Sequence, residues 1–394
     1  MSRQSITFRE MLAPLPAEEF FDGWKDRQPI HLPGGEDKFA SLFSWPEVNR
    51  LLDMANVWSG RTMKIVMDGA ALAPETFCRP IYNREGEHVM QADPARVRRH
   101  LRDGATMVLD FIESFSPAVA SVCAALQVWF GGPATCNLYC SWEGHQGFHA
   151  HFDTTDVVVL QIAGRKTWRV YTGRFENPVD LPGYETTGFP QDYHEHNKGD
   201  LLAALDMTPG DLLYLPRGQY HEALAAGGES LHLTFDIGQA TGHDLLANLQ
   251  HRIVDDPLFR MPLPSFDDAE AHDAHLRRLA DRARELVRDP DATALFQKAQ
   301  RQRAFLFCYP EFGLPDRGDP VLYRVRGLAA RLDGGGNDRV LHTRAGAIAL
   351  ESAEASLAEW ILSRDFFEAG ELGDRSNRTA ALAKLTEAGL IERI

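Results

Sequence analysis

The sequence predicts a mostly β core, an antiparallel sandwich or barrel, set between an N-terminal stretch of helix and loop and a C-terminal stretch of helices followed by a mixed α+β end. Three observations predict it. Between Thr135 and Gly238 short β-rich runs alternate with turn residues: CNLYCSW, GFHAHFD, VVVLQI, TWRVY, DLLYLP and SLHLTFDI. Past Gly238 the apolar residues change to helical spacing. Beyond residue 310 short strand-like and helical runs interleave. A chain of 394 residues holds two or three domains at ~150 residues each. The expected boundaries are 1–240 for the β core with its N-terminal elements, 241–310 for the helices and 311–394 for the α+β end.

Taken in order, Trp45-Pro46 opens a helix to Leu52, and residues 61–68 alternate as a strand does. Pro94 to Arg102 reads as a helix with proline in its first turn. Ala105 to Phe111 is short and apolar, a buried strand, and Pro117 to Phe130 is a helix stopped by Gly131-Gly132-Pro133. Within the β region, Ala163-Gly164-Arg165 is expected to turn a hairpin between VVVLQI and TWRVY. Leu245, Leu246, Leu249 and Ile253 share one helical face. So do Leu276, Leu279, Ala283, Leu286 and Val287 on a helix ending at Asp289-Pro290, and a third helix is expected over 291–306. In the last region VLYRVRG and RVLHTRAGAIAL read as strands on either side of Asp333-Gly334-Gly335-Gly336-Asn337, and helices are expected near Leu357–Ser363 and Thr379–Ala388. A unit of that make-up is winged-helix-like.

Charge and cysteine content narrow the function. The chain carries 41 Lys and Arg against 56 Asp and Glu, a net −15. Nucleic-acid binding needs clustered cations on the phosphates, so an acidic chain is a poor general nucleic-acid binder. The last region has 11 cations against 14 anions, which argues against a DNA-reading role there. An acidic chain instead complements a basic protein or peptide. Five cysteines are odd in number and too few for a disulfide scaffold, which fits a reduced, cytoplasmic setting. No apolar run is long enough to span a membrane, and MSRQSITFREML has no apolar leader core.

The chemistry concentrates in GFHAHFD and in PGDLLYLPRGQYH. Side chains at i and i+2 of a strand share a face, so His149, His151 and Asp153 are expected to point one way. His221 follows the turn of the second run. His151, Asp153 and His221 together make two imidazoles and a carboxylate, the facial triad of non-haem Fe(II) oxygenases. His149 on the same face belongs to the pocket rim, supports the ligands from behind or binds the target. Cys136 and Cys140 read as buried small hydrophobes, and Trp142, Phe148 and Trp168 as core or pocket wall.

These runs carry a resemblance. GATMVLDFIE, NLY, HFDTTDVVVLQIAGRKTWRVY, MTPGDLLYLPRGQYHEA and SLHLTF are similar to the JmjC-type hydroxylases of the cupin superfamily, and more narrowly to the ribosomal oxygenases, along nearly the whole chain. The resemblance implies a double-stranded β-helix, the cupin jelly roll. It implies Fe(II) on His151, Asp153 and His221, with 2-oxoglutarate and O2 as co-substrates. It places Lys166 on the distal carboxylate of 2-oxoglutarate with the Tyr139 hydroxyl, and Asn137 nearer the metal. Thr234 lines the pocket, and His232 touches co-substrate or target. It further implies that the middle helices form a homodimer and that the acidic end does not bind DNA. The expected activity is hydroxylation of a histidine or arginine side chain on a protein, a ribosomal protein first, with Lys166 favouring histidine. Tailoring of a peptide natural product or a free amino acid is the alternative on the same scaffold. A metal-free cupin that only binds peptide is another. N-methyl-lysine demethylation lacks a visible methylammonium pocket.

Overall fold

The computed structural model describes residues 6–82, 86–142, 147–290, 296, 322–325, 330–335, 338–343, 346–372 and 378–393. The expected helix over 291–306, His145 and Cys308 lie outside these residues, apart from Phe296. The chain divides into two compact units. One comprises residues 1–130, 134–238 and 308–394, and the other residues 131–133 and 239–307.

In the first unit helices α1 (Phe8–Leu12), α2 (Ala17–Gly23) and α3 (Trp45–Leu52) surround strand β1 (Ile30–Leu32). Strands β2 (Met63–Met67), β3 (Ala70–Ala71), β4 (Cys78–Tyr82) and β5 (His88–Ala92) follow. Helix α4 (Pro94–Arg102) begins where the Asp93 carboxylate accepts from the amides of Ala95 and Arg96 at 2.9 and 3.0 Å, an N-cap before a first-turn proline. Strand β6 (Thr106–Leu109), helix α5 (Pro117–Phe130) and strand β7 (Ala134–Ser141) lead into the core. Two strands of 19 residues each, β8 (Asp156–Arg174) and β11 (Gln219–Ile237), dominate that core. Between them lie helix α6 (Gln191–Asn197) and strands β9 (Leu201–Met207) and β10 (Leu212–Leu215).

All ladders in this sheet are antiparallel, in the order β1-β10-β8-β11-β7-β6-β2-β3, with β9 also on β8. The first half of β8 meets β10 and the end of β11, while its second half meets β9 and the start of β11. The two halves of β8 therefore take different neighbours within the one nine-stranded sheet. The expected hairpin at Ala163-Gly164-Arg165 does not exist: β8 runs through it and bends. Gly164 stands at φ +64°, and a Cβ there would lie 1.8 Å from the Glu229 carbonyl oxygen. The close approach of the two backbones selects glycine and a bend rather than a chain reversal.

That bend shifts side-chain parity. Before it Val157 and Val159 face the inside of the roll, and after it Trp168 and Val170 do. Val158, Leu160 and Ile162 point the other way, into a core shared with Leu138, Cys140, Leu231, Leu233 and Phe235 and with the N-terminal helices. Alternation along β7 and β11 then turns Asn137, Tyr139, Ser141, His232, Thr234 and Asp236 to the inner face.

The C-terminal part of this unit holds strands β12 (Leu322–Val325), β13 (Arg331–Gly335), β14 (Asp338–Thr343), β15 (Gly346–Leu350), β16 (Phe366–Glu368) and β17 (Ile391–Arg393), with helices Ser352–Leu362 and Arg378–Glu387. RVLHTRAGAIAL is two strands rather than one, β14 pairing with β15, and β12 pairs with β16 and β17 rather than with that hairpin. A buried carboxylate ties this part to the N-terminal elements. Asp365 accepts from the Phe8 amide at 2.8 Å and from Trp129 Nε1 at 2.7 Å.

The second unit contains helices α7 (Gly242–Asp255) and α8 (Ala269–Arg288), joined by Arg252–Asp289 and Arg282–Asp256 ion pairs of 2.6 Å each. Leu249 and Leu286 are buried in it, while Leu246, Leu263, Phe266 and Leu276 are exposed. No helix among the described residues is long and apolar enough to cross a membrane.

Candidate metal centre and anion pocket

The segment Gly147–Asp153 is not a strand. Its only ladder contact with β11 is one antiparallel bridge, His151 with His221, in which the amide of each donates to the carbonyl of the other at 3.1 and 2.9 Å. The bridge does the work expected of strand alternation for His151 and Asp153 but not for His149. That ring lies against Gly69 instead, where a Cβ would meet it at 2.0 Å, because Phe148 pairs in parallel with Gly69.

Ligand-capable atoms of His151, Asp153 and His221 all lie within 4.8 Å of one another. His221 Nε2 is 3.4 Å from one Asp153 oxygen and His151 Nε2 is 3.9 Å from the other. The far nitrogens are fixed by backbone: His151 Nδ1 donates to the His149 carbonyl at 2.7 Å, and His221 Nδ1 to the Gln219 carbonyl at 2.9 Å. A carbonyl can only accept, so each Nδ1 carries the proton and each Nε2 lone pair faces Asp153. Burial, then the neighbouring His151, pushes His221 down to about 4, so its imidazole is neutral at physiological pH. Two imidazoles and a carboxylate brought together in this way fit a divalent first-row metal with positions left open for other ligands.

Beside this trio lies a pocket wall built from the inner faces of β7, β8 and β11. Lys166 is buried at 2% exposure, while Arg165 is exposed. Its ammonium donates to Ser141 Oγ at 2.7 Å, and Ser141 Oγ lies 3.0 Å from Thr106 Oγ1. No carboxylate among the described residues pairs with it, and burial lowers it to about 8. The rings of Tyr139 and His232 stack at 4.8 Å and 6°, and Trp168 meets His232 edge-on at 5.7 Å. Burial drives the Tyr139 hydroxyl far up and His232 far down, so both stay neutral. His232 Nδ1, Thr234 Oγ1 and Trp168 Nε1 are buried with no hydrogen-bond partner among the described residues. A buried ammonium beside unsatisfied polar atoms is a site prepared for an anionic ligand.

Asn137 sits at the metal end of this wall, donating to Asp236 at 3.1 Å. Asp236, which also accepts from Thr155 at 3.3 Å, is raised to about 7 by burial and then by the charge of Asp153. Thus Asn137, Tyr139, Lys166, His232 and Thr234 share one wall. Ser141 and Asp236 belong to it as well and were not expected. The signal for both lay in spacing: Ser141 is two residues past Tyr139, and Asp236 two past Thr234. Cys136 and Cys140 are buried on the opposite face of β7, as expected. Trp142 packs on Trp45 at 5.8 Å.

Comparison with known proteins follows this geometry. Residues 112–245 match the JmjC domain. The chain is 29% identical over 355 residues to ribosomal oxygenase 1 of Gallus gallus, covering 85% of this chain and 56% of that protein. It is 28% identical over 248 residues to the bifunctional lysine-specific demethylase and histidyl-hydroxylase NO66 of Dictyostelium discoideum, covering 62% of this chain and 45% of that one. It therefore spans about half the length of these curated relatives. In three dimensions it resembles YcfD, a ribosomal oxygenase from Escherichia coli, in complex with cobalt and succinic acid. The TM-score is 0.52 at 16% identity, over 96% of this chain and 98% of that one. The complex of YcfD with cobalt and 2-oxoglutarate gives a TM-score of 0.51 at 17% identity, with the same coverage. This likeness establishes the fold, a cupin-type antiparallel core.

Proposed function

We propose, for a chain that carries a JmjC domain at residues 112–245 and is homologous to the ribosomal oxygenases, that it is an Fe(II)- and 2-oxoglutarate-dependent oxygenase hydroxylating a side chain of a ribosomal protein. The observation that carries the reading is the trio His151, Asp153 and His221, converging within 4.8 Å, next to the buried and unpaired charge of Lys166. Fe(II) held by the trio, together with 2-oxoglutarate, would supply oxygen activation and the oxidising power for a C–H bond.

The chain's own residues do the rest. His151 and His221 present their Nε2 lone pairs because backbone carbonyls hold the Nδ1 protons. Asp153 supplies the negative charge that favours a dication. Lys166 and Tyr139 receive the distal carboxylate of 2-oxoglutarate, Thr234 lines the pocket opposite Asn137, and His232 touches co-substrate or target. Asn137 holds the metal-side end of the wall. The stacked Tyr139 and His232 and the edge of Trp168 keep water from this pocket, which strengthens the charge pairing inside it.

The net charge of −15 suits a basic ribosomal protein and leaves the acidic end without a DNA-binding role. A ribosomal substrate goes with a cytoplasmic location. Histidine is the favoured target, supported by Lys166 and by the histidyl-hydroxylase name of a relative. The second unit forms the homodimer contact through its exposed Leu246, Leu263, Phe266 and Leu276, and the C-terminal part is a winged-helix-like module. The test is mass spectrometry of ribosomal proteins incubated with the enzyme, Fe(II) and 2-oxoglutarate. Gain of one oxygen on a single histidine or arginine is expected. Oxidation confined to free amino acids, or loss of methyl groups from lysine, would move the assignment to those substrates.

A further inference from the structure

The segment bearing His151 and Asp153 is held to the second ligand run by the His151–His221 bridge and by the Gly218 amide donating to the Asp153 carbonyl at 2.8 Å, with no longer ladder to stiffen it. Two side chains from the insertion between β8 and β9 grip it on either side of His151. Gln191 Nε2 donates to the Ala150 carbonyl at 3.2 Å, and the Phe152 amide donates to Thr186 Oγ1 at 3.3 Å. Ala150 and Phe152 are themselves fully buried. The insertion also reaches the other ligand strand. His194, buried at 4% exposure, donates from Nε2 to the Thr186 carbonyl at 3.0 Å. Its Nδ1 is then an acceptor, and the Tyr220 hydroxyl meets it at 3.3 Å. Tyr220 immediately precedes His221. The Phe152 ring closes the arrangement, stacked on Phe175 at 4.6 Å and edge-on to Tyr220 at 5.5 Å.

We infer that Thr186 and Gln191 are positioning residues for the metal centre: the insertion is a bracket that aims His151 by holding the peptide groups on both sides of it and, through His194, keeps them in register with Tyr220–His221. Neither residue offers a ligand atom to the trio. Their effect passes through the direction of His151 Nε2, and ligand distances at such a centre tolerate only about ±0.2 Å. The inference rests on the reading of His151, Asp153 and His221 as metal ligands.

Titration of the full chain with Co(II), followed by its visible absorption, tests it beside thermal melting. Thr186→Val keeps the shape and removes the acceptor, Thr186→Ser keeps the hydroxyl, and Gln191→Ala removes the donor from a surface helix. Thr186→Val and Gln191→Ala are expected to weaken Co(II) binding about tenfold with little change in melting temperature, and Thr186→Ser to bind like the parent. Unchanged affinity in both Thr186→Val and Gln191→Ala overturns the bracket, as does an equal loss in Thr186→Ser. If Thr186→Val does not fold, Gln191→Ala decides alone by the same criterion. A parent protein that takes up no Co(II) overturns the metal reading itself, a result distinct from either.

Discussion

Lys166 shows how one residue links burial to ligand binding. Its ammonium is taken out of water without a carboxylate partner, so burial lowers it to about 8. An anionic ligand repairs that imbalance. Lys166→Ala should therefore raise the apparent KM for 2-oxoglutarate at least tenfold, a loss of about 1.4 kcal/mol or more from an unpaired buried carboxylate. Lys166→Arg should cost less without matching the parent, since the guanidinium is a different shape. The pH dependence has a definite sign. Below about pH 8 the group is protonated and holds the carboxylate; above it the amine is neutral. Affinity for 2-oxoglutarate should be greatest below that pH and fall as pH rises through it, with the bound anion carrying the fall somewhat higher. Isothermal titration between pH 7 and 9.5 reads this directly. A flat profile, or an unchanged KM in Lys166→Ala, would transfer the role to another cation, Arg165 first.

At the scale of elements, the bend in β8 decides which side chains reach the pocket. Gly164 stands at φ +64° with the Glu229 carbonyl where a Cβ would be. Gly164→Val should lower stability by about 3 kcal/mol from backbone strain and a clash that backbone cannot relieve, read as a shift of the urea midpoint. It should also weaken 2-oxoglutarate binding by turning Lys166 off the inner face. An unaltered midpoint would mean that the bend tolerates a side chain. This element also marks where sequence reading succeeds and fails. Helices with a proline start and a glycine stop, such as Pro94–Arg102 and Pro117–Phe130, were legible to the residue. Gly164 read locally as a hairpin, because a glycine between two β runs carries the same signal whether the chain reverses or bends. The difference lies in β11, more than 60 residues away in sequence. That His151, Asp153 and His221 come together was legible from residue type and spacing. The wrong side assigned to His149 came from treating Gly147–Asp153 as a strand when one bridge and the Gly69 contact set its course. Helix α6 and strand β9 are flanked by Pro190, Gly199 and Pro209, yet they were passed over together with β4 and β5, and the bracket residues Thr186 and Gln191 went unseen with them.

At the scale of the molecule, the two long strands bring together residues about 70 positions apart, and the net charge of −15 accords with the basic partner proposed above. The exposed apolar residues of the second unit bear on assembly. Leu286 is buried within that unit, so a charge there would test folding rather than association. Leu246→Glu with Leu276→Glu, both exposed, should instead convert a dimer to a folded monomer by light scattering. A monomeric parent protein at high micromolar concentration would contradict the dimer. The central claim is that His151, Asp153 and His221 hold the iron that drives 2-oxoglutarate turnover. Its most direct test is succinate formation from 2-oxoglutarate in the presence of Fe(II) and a ribosomal protein mixture, compared between the parent and His221→Ala. Succinate from the parent that depends on added Fe(II) and stops with a chelator, and none above background from His221→Ala, is the predicted result; turnover in His221→Ala near that of the parent would contradict it.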